Sequence, residues 1–386
     1  MLNTETTRKQ DYTGSASILF LAFELGNSTW NLAFSIGLGQ KARKRSIRAR
    51  DLRELSKEVL LAKQKFGLPE TTPVTSCYEA GRDGFWLDRY LEKTGVKNHV
   101  VDSSSIEVNR KARRAKTDEL DVESLLRLLM RYHNGERKVW NVLRVPSPKE
   151  EDDRQLHREL STLKKERTRT INRIKGLLIN QGVRLKRMDL SDKALDAIRL
   201  WDGSSLQGGL KRRLMRQWEQ LVFLKKQIQT LEGERRSTLK GSKEKAVEQM
   251  RQLATLRSIG SNRAWLLVRE FYGWRDFKNR RQVGSLSGLV PSPYNSGDSK
   301  REQGISKAGN RHVRGAAVEL AWSWVRFQPE SKLTRWFIAR FHSGGKRARK
   351  IGIVALARRL LIELWRFLKT GALPEGARLK AEALAQ

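Results

Sequence analysis

Four carboxylates in the first third of the chain fall where a divalent cation could be held. Asp118 and Asp121 stand three residues apart in the run KARRAKTDELDVESLLRLL, from Lys111 to Leu129. On a helix that spacing is nearly one turn, so the two side chains share a face. Like charges on one face repel unless a cation lies between them, and hard divalent cations take carboxylate oxygens. The basic residues just before, Arg113, Arg114 and Lys116, are placed to hold a polyanion against such an ion. Two further acids, Glu24 and Glu79, each close an apolar, strand-like run. Gathered at one edge, the four would hold two Mg²⁺ ions for phosphodiester chemistry, one activating the attacking oxygen and the other stabilising the leaving oxygen. Taken singly, Glu24 reads more simply as a surface acid at a strand end, and the aspartates as ion-pair partners of Arg113, Arg114 or Lys116. Their joint placement at element ends favours the metal site.

The elements that must position these acids follow from pattern. Residues 17–24 (SILFLAFE), 30–36 and 44–50 read as three strands joined by short turns, an antiparallel meander. Asp51 caps a helix with Leu52, Leu55, Val59, Leu60 and Phe66 at helical spacing. A fourth strand, PVTSCYE, opens at Pro73 and ends at Glu79; a short helix with Phe85, Leu87, Tyr90 and Leu91 follows. Residues 97–102 form a fifth strand, and the closing helix carries the aspartates, with Leu120, Leu125, Leu128 and Leu129 as its core side. The order β-β-β-α-β-α-β-α predicts an α/β sheet flanked by helices, with the acids at its carboxyl edge.

Val145-Pro146-Ser147-Pro148 reads as a linker, so residues 1–145 form one domain. A helical, highly charged stretch occupies 146–245. Leu156, Leu160, Leu163, Ile174 and Leu177, with Arg167 and Thr170 in two core slots, repeat at coiled-coil spacing, as do Leu210, Leu214, Leu221, Leu224, Ile228 and Leu231. Two compatible readings stay open. One is a hairpin folded on itself. The other is a dimerisation arm whose outer face, Lys164, Lys165, Arg167, Arg169, Arg173 and Lys175, grips nucleic acid. Residues 246–386 read as mainly α. Two apolar helical pieces around Ile259-Gly260-Ser261 resemble a helix-hairpin-helix element, and a proline-bearing loop spans 286–294. The tryptophans here, Trp265, Trp274, Trp322, Trp324 and Trp336, suit stacking on bases, but at helical spacing core is the default.

Charge narrows the partner. Lys and Arg outnumber Asp and Glu by 78 to 42, a net charge of +36. An excess this large, spread along most of the chain, implies a polyanionic partner, most often nucleic acid, with steeply salt-dependent binding. No apolar run approaches the ~20 residues of a spanning helix, so a membrane partner is not expected. The first residues, MLNTETTRKQDYTGS, hold no signal-peptide core. A single cysteine, Cys77, excludes an internal disulfide and a cysteine-built zinc site, and the five histidines include no close pair. These features point to a reducing, cytoplasmic setting.

The element order and the four acids resemble the ribonuclease-H-like, resolvase-like (RuvC-like) DEDD domain of a group of bacterial insertion-sequence transposases. That group is related to the Piv-type invertases and described as bridge-RNA-guided recombinases. The matching pieces are FLAFELGNSTWNLAF around Glu24, CYEAGRDGFWLDRYL around Glu79 and AKTDELDVESLLRLL around Asp118 and Asp121. One departure is plain: the group's first acid is usually aspartate, and Glu24 is one methylene longer, which shifts the metal geometry. A second, longer match lies near the C-terminus: Gly288-Leu289-Val290-Pro291, Ser296-Gly297, and Ile305-Ser306-Lys307-Ala308-Gly309-Asn310 ending at Arg314.

The resemblance implies that Ser296 is a nucleophile, forming a covalent phosphoserine bond to DNA and conserving bond energy for rejoining. On composition alone Ser296 is a turn serine, with Ser292 and Ser299 in the same segment. Lys307, Arg311 and Arg314 would then face phosphate; their simpler reading is surface charge. The resemblance further implies donor and target DNA, a guide RNA, two Mg²⁺ ions, and a homodimer or homotetramer in which one subunit's serine works beside another's acids. Two rivals are a metal-dependent junction resolvase that cleaves with water, and a non-catalytic nucleic-acid-binding protein.

Overall fold

A computed structural model describes residues 17–107, 118–185, 187–296 and 299–381, and the side chains of all of these except 118, 119 and 293–303. The chain divides into two compact units, Met1–Pro146 and Ser147–Gln386.

In the first unit, β1 (Leu19–Leu25), β2 (Thr29–Ser35) and β3 (Arg43–Arg48) form an antiparallel meander. After α1 (Leu52–Lys65), β4 (Val74–Glu79) pairs parallel to β1. After α2 (Trp86–Lys93), β5 (Val96–Val101) pairs parallel to β4. The sheet order is β3-β2-β1-β4-β5, and α3 (Asp118–His133) follows. β1 is central and buried from Leu19 to Phe23, which is why it reads as an unbroken apolar run. Leu19, Leu21 and Phe23 join Leu55 of α1 and Leu87 and Leu91 of α2 in one core. Phe20 and Ala22 point the other way, into a core with Cys77, Val101 and Val122, Leu125, Leu126 and Leu129 of α3.

Local chemistry fixes these elements. The Asp51 carboxylate accepts the Glu54 N–H at 3.0 Å, capping α1. Arg43 of β3 pairs with Glu58 of α1. Asn98 accepts from the Ser76 hydroxyl and donates to Asp88, each at 2.7 Å, joining β4, β5 and α2; burial holds the Asp88 carboxyl above its usual range. Leu120, expected in the core, is 47% exposed, because it sits beside the stripe formed by Val122, Leu125, Leu126 and Leu129.

The second unit opens with α4 (Pro148–Asp152), started by a capping box between Ser147 and Glu150. Then α5 (Gln155–Ile179) and α7 (Gly208–Gly241) pack against each other, with α6 (Asp192–Asp196) between them in sequence. Leu160 meets Ile228 and Leu231, whereas Ile174 and Leu178 share a cluster with Leu214 and Leu221. Early residues of one helix face late residues of the other, so the leucine seam is filled within the chain. Part of the basic outer face is also engaged internally. Lys164 pairs with Glu232 at 2.6 Å, Arg169 with Glu166 at 2.6 Å, and Arg173 donates to Gln217 at 2.7 Å. Lys165 and Lys175 are exposed.

There follow α8 (Lys245–Ala254), α9 (Ser261–Leu267) continued by a π turn over Val268–Tyr272, and α10 (Arg280–Leu286). Next come β6 (Pro291–Ser296) and β7 (Ser299–Ile305), then α11 (Arg311–Phe327), α12 (Lys332–Phe341) and α13 (Lys346–Thr370). Leu356, Leu360, Leu361 and Leu364 of α13 pack with Leu320 and Trp324 of α11 and with Phe271. Between α8 and α9 the left-handed residue is Ser258 (φ +80), while Gly260 is extended and caps α9. The stretch after Leu286, expected as loop, contains instead an antiparallel ribbon of β6 and β7. Among the described residues no helix is long and apolar enough to cross a membrane.

Candidate functional site

Two sets of residues carry chemistry, one in each unit. In the first, Phe23 and Tyr78 are the last in-register partners of parallel strands β1 and β4, and Glu24 and Glu79 come next on each. Alternation places Glu24 on the Phe20/Ala22 face and Glu79 on the Cys77 face, which are the same face, covered by α3. Two contacts set the direction of α3 over that face. Phe20, near the start of β1, meets His133 at the helix end with ring centroids 5.2 Å apart. The Cys77 thiol lies 3.8 Å from the Leu125 carbonyl. From Cys77 the strand advances about 7 Å to Glu79, and from Leu125 the helix goes back about 6 Å to Asp121. The helix therefore runs antiparallel to β1, and its first turn overlies the carboxyl edge.

Glu24 and Asp121 are half-buried and Glu79 is exposed. The donor set is all carboxylate oxygen, which suits Mg²⁺ rather than a softer ion. Among the described residues no group of three or more His, Cys, Asp or Glu side chains stands close enough to hold an ion. The Asp118 side chain lies outside the described residues, as do Arg113, Arg114 and Lys116.

In the second unit the three motif pieces form one piece of structure. Gly288 ends the turn after α10 at φ +68, and a Cβ there would lie 1.9 Å from the Ala308 carbonyl oxygen. Gly309, at φ +80, would place a Cβ 2.1 Å from the Leu286 carbonyl oxygen. Only glycine permits both the backbone angle and this approach of main chain to main chain. The two strands meet at the same base: the Ser306 N–H donates to the Val290 carbonyl at 2.8 Å, and the Lys307 N–H to Gly288 at 3.2 Å. At the other end Ser296 pairs with Ser299, the last pair of the ribbon. Ser296 thus stands about 17 Å along the ribbon from Pro291; its side chain, and residues 297–298, lie outside the described set.

The base of the ribbon is anchored by a buried carboxylate that the sequence pattern did not reveal. Glu270, fully buried in the π turn, accepts from His157 Nε2 at 2.8 Å and from Arg158 Nε at 2.6 Å on one oxygen. Its other oxygen accepts from Arg158 Nη2 at 2.8 Å and from Asn310 Nδ2 at 2.7 Å. Asn310 Oδ1 in turn accepts the His312 N–H at 2.8 Å and so caps α11. Burial alone would raise the Glu270 carboxyl, but the bonds from His157 and Arg158 outweigh it and hold the group well below the usual carboxylate range. A charged residue inside the apolar run AWLLVREFY was the available signal, since a buried acid needs partners.

The candidate phosphate-facing cations differ among themselves. Lys307 (φ +56) and Arg311 are exposed. The Arg314 guanidinium donates to the Lys307 carbonyl at 2.8 Å and holds the motif's own loop. Trp265, Trp274 and Trp324 are core residues, Trp322 is 47% exposed and Trp336 is half-buried.

Residues 250–334, which include the ribbon and Glu270, match the model of a family described as "Transposase IS116/IS110/IS902 family". Over 377 residues the chain is 40% identical to the "Putative transposase y4rJ" of Sinorhizobium fredii, covering 94% of each chain. It is 28% identical over 205 residues to the "Transposase for insertion sequence element IS1328" of Yersinia enterocolitica, covering 51% of this chain and 59% of that one. Likeness at this level across nearly the full length of both chains extends to the sheet unit and the ribbon unit together, and the chain belongs to the IS116/IS110/IS902 family of transposases.

Proposed function

We propose that the chain carries out DNA transposition by cutting and rejoining strands through a covalent link to Ser296, with Glu24, Glu79, Asp118 and Asp121 as a Mg²⁺ site. The transposase activity itself follows from the family. The mechanism is supported most by Glu24 and Glu79 ending adjacent parallel strands on the face that α3 covers, at the end where the aspartates begin that helix. With that sheet order, the first unit reads as a ribonuclease-H-like fold.

Bound Mg²⁺ would supply Lewis-acid stabilisation of charge on the phosphate oxygens. The chain's own residues do the rest. The Ser296 oxygen attacks the phosphorus; one Oγ–P bond forms as one strand P–O bond breaks. The serine proton passes to solvent water, and the displaced strand end takes a proton from solvent and leaves as a hydroxyl. Rejoining reverses the exchange, so no nucleotide cofactor is consumed. Exposed Lys307 and Arg311 position the phosphate backbone. A guide RNA and a homodimer or homotetramer complete this reading as the family resemblance implies; the +36 charge fits a nucleic-acid partner without distinguishing RNA from DNA.

Transposition assayed in cells and in a purified Mg²⁺-containing reaction tests the proposal. Ser296→Ala, and separately Asp121→Asn, are expected to lower it by roughly a thousandfold or more. Strand cleavage that survives in Ser296→Ala would assign the chemistry to water and reject the serine. Full activity in Asp121→Asn would reject the metal site.

A further inference from the structure

One concavity of the second unit is positively charged without compensation. It lies between α10, α12 and α13 and measures about 880 Å³. Six cations and two acids line it, but both acids are already matched: Glu363 with Arg366 at 2.7 Å, and Glu375 with Lys332 at 2.7 Å. Four arginines remain, Arg280 and Arg281 from α10 and Arg358 and Arg359 from α13, and no carboxylate pairs with any of them among the described residues. Arg359 lies over the Trp336 ring, 3.8 Å from its centroid. Burial, together with Arg358 and Arg340, lowers the Arg359 guanidinium from its ordinary value. Four like charges around one hollow repel, and the fold tolerates this where an anion is to be received.

We infer that this hollow is a binding site for a single nucleic-acid strand. The four arginines contact successive phosphates, and the Trp336–Arg359 stack offers a platform for a base. The stack selects the ligand form. A base can lie on the Trp336–Arg359 platform only when it is unpaired, so the hollow takes a short piece of one strand rather than the side of a duplex. Both walls are helices fixed by the core: Val283 of α10 and Leu356, Leu360 and Leu361 of α13 are buried, so the cations are presented on a rigid frame. None of the four arginines belongs to the carboxylate set or to the ribbon, although Val290 at the ribbon's base lines the same hollow. The inference rests on reading the chain as a protein that acts on nucleic acid.

The test uses the full chain and three fluorescent probes of one mixed sequence: single-stranded DNA, single-stranded RNA and duplex DNA. The quadruple variant Arg280→Gln, Arg281→Gln, Arg358→Gln, Arg359→Gln is compared with a charge-matched control, Arg213→Gln, Arg216→Gln, Lys226→Gln, Arg236→Gln on α7. The groove variant is expected to lose at least about tenfold in single-strand affinity, with the slope of log K against log salt falling by about 2–3. The corresponding Arg→Lys quadruple should bind within about threefold of the parent. Photocrosslinking of an iodouracil strand to the unaltered protein should label Trp336. The DNA and RNA arms say which strand is held. If the control loses as much as the groove variant, if the loss is confined to duplex, or if crosslinks form without any at Trp336, the groove assignment is wrong while the functional reading stands. If the unaltered chain binds none of the three probes, both fail.

Discussion

The two units position their reactive groups by opposite means. In the first, the acids sit where a parallel sheet stops. Glu24 and Glu79 follow strands that are buried almost residue by residue, and Asp121 follows from an apolar helix face lying on the same sheet. None of the acids belongs to the apolar clusters that set those elements. In the second, Ser296 sits at the far end of a two-stranded ribbon, which is marginal by itself. Its placement depends on the base: Gly288 and Gly309 in main-chain contact, Arg314 on the Lys307 carbonyl, and Asn310 tied to buried Glu270. A hydrophobic core aims one set of groups, and a polar anchor aims the other. The chemistry-bearing residues of the first unit should therefore be separable from stability, whereas the framework residues of the second should not.

Substitutions test that contrast. The largest effect is expected at Glu270→Ala, which leaves buried His157 and the Asn310 amide without their acceptor and half-exposed Arg158 without its carboxylate. It should destabilise the second unit by about 2–4 kcal/mol in urea unfolding. Acid should act on the same anchor. Because the folded Glu270 carboxyl is held below its ordinary value, its contribution is complete above the unfolded value of about 4.3 and is lost as pH falls towards the folded one. A stability profile below pH 5 should therefore fall more steeply for the parent than for Glu270→Gln. Next, Gly288→Ala forces a side chain into the Ala308 carbonyl at an unfavourable φ and should cost about 1–3 kcal/mol. The smallest effect is expected at Asp121→Asn, within about 0.5 kcal/mol of the parent. Equal destabilisation by Asp121→Asn and Glu270→Ala would erase the distinction.

The same contrast explains what could be read in advance. The first unit was legible because apolar alternation, the Asp51 cap and short turns are local signals, and all five strands form within a few residues of the expected places. Leu120 departs from the expected core because it lies beside the apolar stripe rather than on it. The ribbon is not legible because Pro291 and Pro293 argue against a strand and the segment lacks apolar alternation. Its one local signal is the dipeptide Gly297-Asp298 between Ser296 and Ser299. Glu270 was not legible as an anchor, because Arg158 and Asn310 lie 112 and 40 residues away in the chain. Long-range polar contacts leave no periodicity to read.

The central claim is a covalent exchange at one hydroxyl, and denaturing electrophoresis of protein incubated with Mg²⁺ and end-labelled element DNA, followed by peptide mapping, tests it most directly. A protein–DNA adduct that maps to Ser296 and disappears in Ser296→Ala is expected. Strand cleavage without any adduct, or an adduct that persists in Ser296→Ala, would contradict it.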